Sequence, residues 1–90
     1  MPTKAELAQA LAELEAEYRY WVVEAISIER GIENIEEKID RYETELGPTR
    51  VSEFRARLSR TRAQHDQIGA RIDFVRAHLA ELRAQLDTLP

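Results

Sequence analysis

The sequence predicts an all-α fold: an antiparallel two-helix coiled-coil hairpin that dimerises into a four-helix bundle. Three observations carry this expectation. Apolar residues repeat in heptads along both halves of the chain, a Gly47-Pro48 breaker separates the halves, and the halves carry opposite charge. The composition agrees: 43% of the 90 residues are apolar, 33% are charged, and Gly and Pro number 3 each. That is the usage of a folded, helix-leaning chain with a small core.

The elements follow in order within a single domain over 1–90. Thr3-Lys4-Ala5-Glu6 reads as a capping box that opens a first helix over 3–46. Gly47 suits the position just past a helix end, Pro48 cannot continue a helix, and Thr49 is a candidate N-cap for the next one. A turn over 47–49 therefore leads to a second helix over 50–88. The apolar stripe of the first helix is Leu7, Leu11, Leu14, Tyr18, Trp21, Ala25, Ile28, Ile32, Ile35, Ile39, Tyr42 and Leu46. That of the second is Val51, Phe54, Leu58, Thr61, His65, Ile68, Ile72, Val75, Leu79, Leu82, Leu86 and Leu89. Spacings of three and four alternate without interruption, and a mean period of 3.5 is the signature of a coiled-coil seam. A short turn between two long helices makes them antiparallel neighbours.

Charge supports the pairing. The first helix bears twelve acidic and five basic side chains, net −7; the second bears eight basic and five acidic, net +3. Beside the seam stand Glu15, Val22, Glu29, Glu36 and Glu43 on one helix and Arg55, Arg62, Gly69, Arg76 and Arg83 on the other. Two registers one heptad apart satisfy them equally. One pairs Glu43 with Arg55, Glu36 with Arg62 and Glu15 with Arg83. The other pairs Glu36 with Arg55, Glu29 with Arg62 and Glu15 with Arg76, and sets Val22 over Gly69.

The seam does not use all the apolar residues. Tyr20, Val22, Val23 and Ile26 make the first helix apolar nearly all the way round, and Ala70, Phe74 and Ala77 lie at the matching height on the second. A helix apolar on every side is buried on every side, so this waist is expected to be covered. The candidate covers are a second copy, a different protein, or the same chain folded back through a break near Gly31. Gly31 and Gly69 would permit close backbone approach there.

Few residues suggest chemistry. Thr61 and His65 form a polar layer in the seam, read as a register-fixing device with a pH-sensitive or metal-binding role as the alternative. His78 has Glu81 three residues on and Glu24 as a possible neighbour. This is the reverse of the Glu-x-x-His order of bundle metal sites, and it occurs once. With no Cys, no Ser/His/Asp arrangement and no phosphate-binding Gly-rich loop, the chain is expected to be non-enzymatic and to need no cofactor or metal. Arg50, Arg55, Arg57, Arg60 and Arg62 form the one basic cluster, in which Arg57 and Arg60 are the candidate nucleic-acid contacts. The net charge of −4 and the lack of interleaved aromatics argue against nucleic acid as the main partner. Asp40, Glu43 and Glu45 make an acidic tip.

The expected role is a cytoplasmic coiled-coil adaptor or scaffold, a protein–protein interaction module that self-associates as a homodimer. The alternatives are a small regulator docking on a larger machine such as RNA polymerase or a nuclease through its acidic face or tip, and a weak nucleic-acid binder. No apolar run suits a membrane span and no signal-peptide pattern opens the chain. The Ala-, Arg- and Glu-rich usage suggests a bacterial or phage genome.

Overall fold

The computed structural model describes residues 2–90. Among the described residues there is no strand, and one helical run, α1, extends over Lys4–Asp87. Its start follows from a cap. Thr3 is extended (φ −77°, ψ 164°), and its hydroxyl oxygen accepts a hydrogen bond from the Glu6 N–H at 3.1 Å, which satisfies one of the free amides of the first turn. The Thr3 hydroxyl in turn donates to the Glu6 carboxylate at 3.1 Å. The box is thus closed side chain to side chain, without Glu6 reaching back to the Thr3 amide. At the other end the Thr88 N–H donates to the Ala84 carbonyl at 3.3 Å.

The backbone of α1 leaves helical values at one residue, Gly47 (φ 77°, ψ 165°). Positive φ with extended ψ is a region open essentially to glycine alone. Pro48 follows at once and is helical; with φ preset and no N–H to satisfy, it suits the first position of a helix. Gly47-Pro48 is therefore stop and start together. Thr49, expected to cap the second segment, lies inside it instead. Gly31 and Gly69 are helical and introduce no kink, so the chain has no break near Gly31.

A straight helix of this length would reach about 126 Å, whereas the molecule measures 67 × 14 × 14 Å. Side chains from the segment before the kink meet side chains from the segment after it. Glu43 binds Arg55 at 3.0 Å, Glu36 binds Arg62 at 3.2 Å and Glu15 binds Arg83 at 3.3 Å. Each step of seven toward the N-terminus in one segment is matched by a step of seven toward the C-terminus in the other. These are the partners of the first of the two registers; those of the second are not formed.

The buried residues are Leu7, Ile35, Ile39, Val51, Leu58, Val75 and Leu79, and every one belongs to the apolar stripe. Ile35, Ile39 and Leu58 form a cluster with Ile32 and Phe54 against it. The remaining stripe positions are half-buried except Tyr42, which is 38% exposed. Its ring lies under the Arg41 guanidinium, 5.9 Å from the centroid. Tyr42 sits five residues before Gly47, near the end of the stripe, where its hydroxyl can face solvent. No helix among the described residues is long and apolar enough to cross a membrane.

Candidate interaction surface at the waist

Heptad spacing divides the surface of α1 into two flanks. The ladder flank carries the Glu43–Arg55, Glu36–Arg62 and Glu15–Arg83 pairs. The opposite flank carries Glu17 and Arg71, joined across the seam by the Arg71 Nε–H donating to Glu17 Oε1 at 3.1 Å, with Nη2 on the same oxygen. Residues three, four or seven apart share a side of a helix, so each candidate can be assigned to a flank.

On the Glu17 flank, Tyr20 and Phe74 stand at one level, 56% and 53% exposed. Tyr20 packs edge-on against Trp21 with centroids 5.0 Å apart. Phe74 lies between the Arg71 guanidinium, 5.2 Å from its centroid, and the His78 ring at 4.9 Å. Trp21 donates its indole N–H to Glu17 at 3.2 Å. Glu17 therefore accepts from Arg71 and Trp21 together, and these two hydrogen bonds hold its carboxyl below the ordinary value, the first being the larger cause. Sequence reasoning missed this group, although Glu17–Trp21 spacing of four is a readable signal.

Val22 and Ile26 fall on the ladder flank. Ile26 is 45% exposed and Val22 half-buried. Val23, 64% exposed, and the exposed Ala70 and Ala77 point outward between the flanks. The expected interface residues thus share a height but not a single face. Within this structure an added Cβ at Gly31 or Gly69 meets nothing within 4 Å, so no backbone approaches either glycine.

The ladder is interrupted at this height, where Val22 faces Arg76 and Gly69 faces Glu29 in the spacing the other pairs set. Each unmatched charge finds a substitute. Arg76 donates to the Tyr18 hydroxyl at 3.5 Å with its guanidinium 6.0 Å from the ring centroid, and this hydrogen bond raises it above the ordinary arginine value. Glu29 accepts from His65 Nε2 at 2.9 Å. The other polar seam residue, Thr61, donates to the Arg57 carbonyl of its own helix at 2.8 Å. Both members of the polar layer are half-buried and satisfied.

His78 lines a groove with Glu13, Glu17 and Glu81 on the Glu17 flank. Glu24, the neighbour expected for it, is not among the residues of that groove. Among the described residues no group of three or more His, Asp or Glu side chains could hold a metal ion. Nearer the kink on the same flank, Arg50, Arg57 and Arg60 line a second groove with Glu53 and Phe54. Arg55 and Arg62, from the same basic cluster, are held by Glu43 and Glu36. Of the acidic tip, Glu43 is paired, and Asp40 and Glu45 are exposed. Compared with protein-family models, curated proteins and solved structures, the chain matches none.

Proposed function

We propose that the chain works as an antiparallel coiled-coil hairpin and serves as a non-enzymatic assembly module, self-associating through its waist. The heptad-spaced pairs on either side of Gly47 support the hairpin. One observation carries the self-association: Tyr20 and Phe74 are exposed at one level on one flank, with Val23 and Ile26 exposed at the same height around the rod. Large apolar side chains gathered this way mark a surface made to be covered. A seam one residue wide on each helix is also thin for a chain of this size, and a bundle of four helices buries more of it.

The test is the molar mass in solution by light scattering, read with two variants that separate the flanks. The protein is expected to be a dimer, and one of Tyr20→Glu and Ile26→Glu, whichever lies on the covered flank, is expected to shift the mass toward one chain. A monomer at high concentration overturns self-association. A dimer untouched by both substitutions moves the interface away from the waist. A second reading, a regulator that docks on a larger machine, is favoured by Asp40 and Glu45, exposed beside the kink; a monomeric mass would make it the leading one.

A further inference from the structure

The Glu17 flank is segregated in charge along its length. Toward the termini it bears Glu6, Glu13, Glu17 and Glu81, opposed only by Arg71, which Glu17 already holds. Toward the kink it bears Lys38, Arg41, Arg50, Arg57 and Arg60, opposed by Glu45 and Glu53. The grooves follow the same division, acidic around Glu13, Glu17 and Glu81 and basic around Arg50, Arg57 and Arg60. Tyr20 and Phe74 border the acidic half. Between the halves lie Glu24, Ser27, Gln64 and Gln67. The ladder flank has no such reversal, since its pairs neutralise one another along the rod.

We infer that this flank receives a second copy of the chain, stacked face to face with its kink pointing the opposite way and the two-fold axis passing near Ser27. The inference rests on the proposed self-association and adds its face and its direction. A two-fold axis across the rod lays each helix antiparallel on its own equivalent. Counting outward from Ser27, Glu13 then comes level with Arg41 of the second copy and Glu17 with Lys38. On the other helix, counting outward from Gln67, Phe74 comes level with Arg60, and Glu81 comes level with Glu53, which Arg50 and Arg57 flank three and four residues away. Symmetry makes every contact twice. The acidic groove of each copy faces the basic groove of the other, and the exposed Phe74 ring is covered by the Arg60 side chain of the second copy. The opposite stacking, with both kinks at one end, sets Glu13 on Glu81 and Lys38 beside Arg57 and loses the Glu13–Arg41 and Glu17–Lys38 pairs, so the charge pattern favours one direction. Val22 and Ile26 stay outside this interface, on the ladder flank.

The absence of cysteine makes the test direct. Under mild oxidation, Ser27→Cys alone should form a disulfide-linked dimer. A mixture of Ser27→Cys and Gln67→Cys chains should give no preferred mixed product, and Ser59→Cys, on the ladder flank, should not cross-link. In the cysteine-free protein, Glu13→Lys should weaken dimerisation about tenfold, since it reverses two symmetry-related ion pairs. Adding Arg41→Glu should restore it. A dimer that cross-links through Ser59→Cys, or only between Ser27→Cys and Gln67→Cys, overturns the face or the direction and leaves self-association standing. So does a dimer indifferent to Glu13→Lys. A monomer mass for the unaltered protein overturns both readings.

Discussion

Glu17 is the residue whose surroundings differ most from those of an ordinary surface carboxylate. Its Oε1 accepts from the Arg71 guanidinium and from the indole of Trp21, the one tryptophan of the chain. Both bonds favour the ionised form and depress its pKa from the ordinary 4.5. A carboxyl depressed in the folded state contributes stability that is fully present above its unfolded value. That contribution is lost as pH falls through the folded value. The contribution of the Glu17 group should therefore hold down to about pH 4.5 and vanish only below it. Trp21 fluorescence reports the event directly, because protonating Glu17 removes the acceptor of the indole. An acid titration should show an emission change with a midpoint below 4.5, and Arg71→Ala should move that midpoint upward. A midpoint indifferent to Arg71→Ala would mean that the guanidinium does not hold the carboxylate in solution.

At the scale of the helices, Gly69 and Gly47 make opposite demands. Gly69 is helical and an added methyl meets nothing within 4 Å. Gly69→Ala should therefore stabilise by about 1 kcal/mol through backbone propensity, raising the midpoint of a thermal melt by about 4–8 °C. Gly47→Ala should act in the other direction, since φ 77° with ψ 165° costs a side-chain-bearing residue about 1–3 kcal/mol. Circular dichroism melts of the two variants test both signs at once. The same contrast explains what could be read from the sequence. The seam was legible because burial follows the 3.5-residue period: Leu7 through Leu79, every buried residue is a stripe residue. The register was not, because Glu and Arg alternate with the same seven-residue period and match equally well after a slip of one heptad. Only the ion pairs themselves, Glu43–Arg55, Glu36–Arg62 and Glu15–Arg83, distinguish the two. The division of the waist between two flanks follows from helix phase once the pairs are known, with Tyr20 beside Glu17 and Ile26 beyond Glu15 and Val22. Tyr42 departs from its stripe because a hydroxyl near the end of a seam has water within reach.

For the whole molecule, the proposed hairpin places its entire reversal of direction on two adjacent residues. The pairs Glu43–Arg55, Glu36–Arg62 and Glu15–Arg83 require only that one segment lie antiparallel to the other; they do not require both to belong to one chain. A pair of straightened chains could make every one of them, each first segment against the second segment of its neighbour. Against this exchange stand the glycine-only backbone at Gly47 and the proline behind it, whose ring cannot sit inside a continuous helix, together with the high effective concentration of two segments joined by a short turn. Replacing both residues, Gly47→Ala with Pro48→Ala, removes the local obstacle and leaves the seams intact. The double variant should then form a swapped dimer at high concentration, and its maximum dimension by small-angle scattering should approach the ~126 Å of an uninterrupted helix of this length, well beyond the 67 Å of the kinked molecule. If the variant keeps the shorter dimension, the fold back at residue 47 is enforced by the contacts between the segments themselves, and the Gly-Pro step serves only to position it.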